Sequence, residues 1–232
     1  MSSLCERLSA VQQRIQHAAI ACGRKPDEIH LLAVSKTQPV EAIAAAWACG
    51  QRAFGENYAQ ELYAKATALT PEMGIEWHFI GPVQANKTRL IAAVADVVHA
   101  VERERILQRL NDQRPDDKAP LQICLQLNVS GEASKSGVSP AELLPLAQTC
   151  MALPRLQLRG LMAIPAPSPD IQQQRQAFAQ LRQALEALKA HGYPLDTLSM
   201  GMSDDLEAAI CEGATWVRIG TAIFGQRSYP QA

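Results

Sequence analysis

The chain has 232 residues, of which 47% are hydrophobic, and Lys+Arg 22 against Asp+Glu 23 leave a formal charge of −1. That length suits one domain spanning residues 1–232 with a full core, and the balanced charge without a basic run argues against nucleic acid as a partner. No apolar run reaches the ~18 residues of a membrane span, and Met1-Ser2-Ser3-Leu4-Cys5-Glu6-Arg7 lacks the order of a signal peptide, so a cytoplasmic protein is expected.

In chain order, Ser3 to Ala21 predicts a helix, with Leu4, Leu8, Val11, Ile15, Ala18 and Ala19 at helical spacing and Gly23 placed to stop it. Ile29 to Ser35 is a short apolar run, as in a strand covered on both faces, and it runs out into Lys36. Helix Val40–Ala48, strand Arg52–Phe54, helix Tyr58–Ala68 and strand Glu76–Ile80 follow, each closed by glycine or a polar turn. Helix Gln84–Ala93, strand Asp96–Ala100 and helix Arg103–Asn111 lead to strand Leu121–Asn128. Pro140, after Ser139 as cap, starts a helix to Met151. Strand Leu156–Ile164, a long helix from Ile171 to His191, strand Leu198–Met200, helix Asp204–Cys211 and strand Trp216–Ile219 complete the pattern.

Strict strand–helix alternation without a hairpin signal predicts parallel strands joined by right-handed crossovers. Eight such strands in about 190 residues point to a closed (β/α)8 TIM barrel with an extra N-terminal helix. A doubly wound open sheet is the competing arrangement. The leading helix is placed to cover the gap after strand eight, which has no long helix behind it. The cysteines Cys5, Cys22, Cys49, Cys124, Cys150 and Cys211 include no C-x-x-C pair and lie mostly in apolar segments. They read as buried small residues in a reducing compartment and not as disulfides or zinc ligands. The five histidines are scattered, so no metal site is expected.

In such a barrel the active face is built from the C-terminal ends of the strands. There the sequence puts Lys36, Glu56-Asn57, Gly81, Asn128 and Met200-Gly201-Met202-Ser203, with His78, His99 and Met162 carried on strands three, four and six. Each alone has an ordinary reading: a buried histidine satisfied in the core, an asparagine forming a turn. Lys36 is either a snorkelling lysine or one desolvated enough to attack a carbonyl. Ser203 is placed to cap the helix at Asp204 and to offer a hydroxyl to phosphate, while Gly220 and Thr221 supply close backbone approach, an amide and a second hydroxyl. A lysine facing a phosphate site suits a phosphorylated carbonyl substrate or pyridoxal 5′-phosphate. Arg218, just below Gly220, either keeps a pyridine nitrogen unprotonated or forms a structural salt bridge.

Six segments carry a resemblance. They are His30 to Lys36, Phe54-Gly55-Glu56-Asn57, Trp77 to Lys87, Arg159-Gly160-Leu161-Met162, Ser199-Met200-Gly201-Met202-Ser203-Asp204 and Val217 to Gly225. Together they resemble the YggS/PROSC family of pyridoxal phosphate homeostasis proteins over almost the whole chain. The resemblance implies a barrel similar to the N-terminal domain of alanine racemase. It implies pyridoxal phosphate on Lys36 as a Schiff base, phosphate held by Ser203, Gly220 and Thr221, a ring lined by Asn57, Met200 and Arg218, and His78 nearby. Ala100 and Glu102 depart from the family's usual pattern after strand four, and Lys135 matches a family loop lysine that is either solvated or a secondary cofactor contact.

Only eleven residues follow Thr221, too few for the second domain that supplies a racemase with its opposing base. The expectation is therefore a protein that binds, buffers or delivers the cofactor in vitamin B6 homeostasis, with apo-enzymes as candidate recipients and a monomer as the default state. A low-activity enzyme of the amino-acid racemase type is the alternative.

Overall fold

The computed structural model describes residues 2–131 and 136–225. Eight parallel strands form a closed barrel in sequence order: β1 (His30–Val34), β2 (Ala53–Glu56), β3 (Glu76–Phe79), β4 (Val97–Val101), β5 (Leu121–Gln126), β6 (Leu156–Met162), β7 (Thr197–Ser199) and β8 (Trp216–Ile219). Closure is made by β8 pairing with β1, in the register His30↔Trp216, Leu32↔Arg218 and Ala33↔Ile219. The competing open sheet is thereby excluded.

The helices are α1 (Leu4–Ala21), α2 (Val40–Ala48), α3 (Ala59–Ala68), α4 (Thr88–Val94), α5 (Glu104–Gln113), α6 (Pro140–Met151), α7 (Ile171–Ala190), α8 (Leu206–Cys211) and α9 (Thr221–Phe224). A capping box of Ser3 and Glu6 starts α1, and its Leu8, Val11, Ile15, Ala18 and Ala19 form the buried stripe. Ser139 and Glu142 form the same box at α6, with Pro140 in the first turn where its missing N–H costs nothing. As expected, α1 packs against α8 and α9 at the β8–β1 seam, and Arg7 Nε donates to Ile223 O at 2.7 Å.

Two helix starts differ from expectation by more than one residue. Residues 84–87 form a turn and α4 begins at Thr88. The helix expected from Asp204 begins at Leu206, and the single turn α9 is too short to leave a periodic signal.

The strand period of two sorts the core. Phe54, Trp77, Phe79, Val98, Ile123, Leu161, Val217 and Ile219 join the helices in one large apolar layer outside the barrel. Ala100, Cys124 and Met162 form a separate cluster inside it. The interior also holds a polar group: His78, His99, Ser199 and Arg218 are buried there, beside Leu32 and Val97, which face the same side by register.

The cysteine expectation is corrected. Cys5 is bonded to Cys49 and Cys22 to Cys211, with Cα–Cα distances of 5.3 and 5.1 Å. Both pairs tie α1 to its flanks, at the C-terminal ends of α2 and α8. They are 44 and 189 residues apart in sequence, so only the fold brings them together. Cys124 and Cys150 remain free and buried, as expected for small core residues. The cysteines therefore no longer argue for a reducing compartment. Among the described residues no helix is long and apolar enough to cross a membrane.

Candidate functional site at the barrel mouth

The first strand ends at Val34, and Lys36 lies in the turn just beyond it, half-buried. The next residue, Thr37, has φ +64°, the only positive value outside glycine among the described residues. A β-branched residue there is strained, and such strain persists only where the surroundings over-determine it. The surroundings are a buried ionic cluster. Lys65 Nζ on α3 donates to Ser35 O and Glu56 Oε1, both at 2.9 Å, and to Glu61 Oε2 at 3.0 Å. Ser35 Oγ donates to Glu56 Oε1 at 2.6 Å, and Glu61 Oε2 accepts from the strained Thr37 N–H at 2.9 Å. The residues on either side of Lys36 are thus fixed to β2 and α3. Burial pushes the Glu56 carboxyl up to about 7, against the opposing pull of Lys65 and Ser35.

Lys36 opens onto a cleft of about 580 Å³ at the C-terminal mouth, with Asn57, Ser203, Arg218, Gly220 and Thr221 on its walls. Six of the eight expected residues therefore share one cavity. Three glycines shape it. A Cβ at Gly220 would lie 3.1 Å from Val34 O, so the absence of a side chain lets the β8 exit close on β1 beside Lys36. A Cβ at Gly81 would lie 2.1 Å from Asn57 O, inside the backbone that presents Asn57. Gly201 has φ +96°, and a Cβ there would meet Ala209 at 2.6 Å, so another residue at that point would strain the loop carrying Ser203 and push it off α8.

Arg218 is fully enclosed except for its face on the cleft. Its Nη1 donates to Ser199 Oγ at 2.7 Å and its Nη2 to Ala163 O at 3.0 Å. No carboxylate pairs with it among the described residues, so the structural salt bridge considered for it is not formed. Burial lowers its pKa to about 10, with Asp205 opposing at longer range.

Two expected residues do not reach the cleft wall. Met200 is buried in the core. His78 is buried inside the barrel, with Nδ1 2.8 Å from His99 Nε2, while its own Nε2 is buried without a hydrogen-bond partner. Ser203 is in the cleft but does not cap α8. Asp205 occupies the cap position, and its carboxylate accepts from Met202 N at 2.6 Å, closing the loop below Ser203. The departures after β4 are accommodated locally: Ala100 packs on Cys124 and Met162, and Glu102 Oε2 accepts from Gly137 N at 2.6 Å. Lys135 lies outside the described residues.

Sequence reasoning missed Thr37, Glu61, Lys65 and Ser199. Glu61 and Lys65 do carry a signal, the i,i+4 spacing of an acid before a base, but that spacing ordinarily marks a solvated helix face. Ser199 lies in a three-residue strand and looks like any small strand residue.

The closed parallel barrel carries Lys36 after its first strand, Ser203 after its seventh and Gly220 and Thr221 after its eighth, and it is similar to the N-terminal domain of alanine racemase. The model of that domain matches residues 7–228. A curated relative from Pseudomonas aeruginosa, named pyridoxal phosphate homeostasis protein, is 56% identical over 99% of this chain and 98% of its own. The structure of PipY from Synechococcus elongatus with PLP bound superposes with a TM-score of 0.83 at 34% identity, covering 96% of this chain and all of that one. Alanine racemase from Corynebacterium glutamicum shares the fold at a TM-score of 0.68 and 17% identity, over 97% of this chain and 63% of that one. The chain belongs to the family of pyridoxal phosphate homeostasis proteins.

Proposed function

We propose that residues 1–232 act as one barrel domain that holds pyridoxal 5′-phosphate on Lys36 and serves intracellular vitamin B6 homeostasis without substantial turnover. The observation that carries this reading is the shared cleft, in which Lys36, Arg218 and the Ser203, Gly220 and Thr221 group line one cavity. The cofactor supplies an aldehyde for a lysine amine and a dianionic phosphate. The residues present suit both ends of it. Lys36 is held in a fixed turn by Thr37 and the Lys65 cluster. Thr221 opens a helical turn whose first amides have no partner within that turn, and with the Ser203 hydroxyl they suit an anion. The bare Gly220 backbone lets that anion approach.

Arg218 would bring a guanidinium to the pyridine nitrogen and keep it unprotonated, because two adjacent cations repel. That weakens the ring as an electron sink and favours holding over turnover. Relatives named for homeostasis and not for a reaction support the same reading. We also propose a monomeric, cytoplasmic protein with apo-enzymes as recipients. In a reducing cytoplasm the two disulfides would stay open unless oxidised, so alkylation of protein taken directly from cells is the check.

Borohydride treatment of the loaded protein should fix a pyridoxyl group, and a peptide map should find it on Lys36. A label on another lysine, or none, overturns the assignment. Mixing the loaded protein with an apo-enzyme tests delivery: transfer must outrun spontaneous release.

A further inference from the structure

The polar groups inside the barrel form a hydrogen-bonded chain from Arg218 down to His78, with Glu76 at ion-pair distance below it. Arg218 Nη1 lies 2.7 Å from Ser199 Oγ, and Ser199 Oγ lies 2.7 Å from His99 Nδ1. His99 Nε2 lies 2.8 Å from His78 Nδ1. At the lower end, His78 Nε2 lies 3.4 Å from Glu76 Oε2, an ion-pair distance that is long for a hydrogen bond. Glu76 lines a separate cleft at the N-terminal end of the barrel, with His30, Arg52 and Trp216. The Trp216 ring packs 4.6 Å from that of His78 and shields it from this lower cleft.

We propose that Ser199, His99 and His78 form a polarised hydrogen-bond chain, facing the Glu76 carboxylate at its lower end, that positions Arg218 at the floor of the cofactor cleft, with His99 held as the Nε2–H tautomer. The proposal rests on the reading of that cleft as the pyridoxal phosphate site.

The two ends of the chain fix its direction. A guanidinium can only donate and a carboxylate only accept. Arg218 donates to Ser199, and the Ser199 hydroxyl proton then goes to His99 Nδ1. His99 must carry its proton on Nε2 and donate to His78 Nδ1. His78 in turn carries its proton on Nε2, toward Glu76. The reverse order fails at both ends. It would aim a bare His78 lone pair at the Glu76 carboxylate, and it would leave the buried Ser199 proton without an acceptor among the described residues.

The arrangement answers a need of Arg218. A buried cation without a carboxylate partner is costly. Here a row of aligned dipoles presents its negative ends to the guanidinium and terminates in a remote carboxylate. Burial above all, with the Arg218 cation adding to it, holds the His99 pKa well below its ordinary value, so this imidazole stays neutral. The other titratable groups around the chain are His30, Asp96 and Arg159 near its lower end, and Cys124 and Asp205 near Arg218.

The test uses the full chain, 15N-labelled and free of cofactor, in long-range proton–nitrogen correlation spectra between pH 5.5 and 9. His99 should appear as a neutral Nε2–H ring across the range, and His78 should carry a proton on Nε2. An Nδ1–H ring at His99, or a protonated one at pH 6.5, overturns the chain. Glu76→Gln, a change at the lower cleft, should move the His99 nitrogen signals, and unmoved signals overturn its continuity. For positioning, Ser199→Ala should weaken cofactor retention about tenfold, while Ser199→Thr, which keeps the hydroxyl, should restore most of it. Equal retention by Ser199→Ala and wild type refutes the positioning role. Failure of the cofactor reading itself would register separately, as absence of the Lys36 label in wild type.

Discussion

Removing the Lys65 ammonium is the sharpest test of how Lys36 is held. Lys65 and Glu56 have side-chain exposures of 8% and 0%, so their 2.9 Å contact is shielded from solvent. Lys65→Met keeps most of the stem but leaves Glu56 and Ser35 O without their shared donor. Glu56 Oε2 has no hydrogen-bond partner even in the intact cluster, so nothing stands ready to compensate. Breaking a buried pair by deleting one partner costs about 3–5 kcal/mol, because the other charge stays buried and uncompensated.

The loss should depend on pH. Burial already raises the Glu56 carboxyl to about 7, and Lys65 is among the influences that lower it. Without Lys65 the folded pKa rises further above the unfolded one. The unfolded chain then releases this proton first, and stability falls as pH increases, by up to about 1.4 kcal/mol per unit. Urea denaturation of the cofactor-free variant at pH 5 and pH 7.5 measures both terms. Glu56→Gln in the Lys65→Met background should recover about 2 kcal/mol or more at pH 7.5, since no buried carboxylate remains to be compensated. A loss under about 1 kcal/mol at pH 7.5, or one independent of pH, would refute the idea that this cluster clamps the Lys36 turn.

Three further outcomes follow from other parts of the molecule. Gly81→Ala puts a Cβ 2.1 Å from Asn57 O, so the β2 and β3 exits must separate. Thermal unfolding should show a loss of about 1–3 kcal/mol together with weaker cofactor retention, and a variant as stable as wild type would show that the backbone yields freely. The His99 ring stays neutral in the fold but takes up a proton near 6.5 when unfolded. The unfolded state therefore binds more protons in acid, and stability should drop below pH 6.5 by about 1.4 kcal/mol per unit. His99→Gln should flatten that slope in urea titrations, and an unchanged slope assigns it to other groups. The disulfides close stretches of 44 and 189 residues, for which loop-closure entropy gives about 4 and about 5 kcal/mol. Reduction should lower the unfolding midpoint, and alkylation of the folded, reduced protein should mark Cys5, Cys22, Cys49 and Cys211. Cys124 and Cys150, buried with thiols pushed up to about 12, should stay unmarked. Six free thiols in the unreduced, denatured chain would remove the covalent ties.

Alternation of strands and helices, with the punctuation of Gly81, Gly192 and Pro140, was enough to establish a parallel α/β chain, because period and turn chemistry are local properties. The sequence by itself also assembled most of the mouth. Lys36, Asn57, Ser203, Arg218, Gly220 and Thr221 stand at strand ends, and strand ends converge once the sheet closes. Closure itself was decided only by the β8–β1 register, a pairing between the two ends of the chain that no local pattern encodes. The cysteine pairs were hidden for the same reason, since α1 meets α2 and α8 only when the seam forms.

The placement of Lys36 shows the division most plainly. Its position after an apolar strand is written in the sequence. What fixes it there is Lys65, thirty residues past Ser35, reaching back beneath a strained Thr37. The family resemblance implied that His78 lies near the cofactor ring. Strand geometry instead turns it into the barrel interior, two hydrogen-bond links below Ser199. Which residues line a strand is a matter of sequence, but whether one reaches the cavity or the core depends on its depth along the barrel axis, and tertiary packing alone sets that depth.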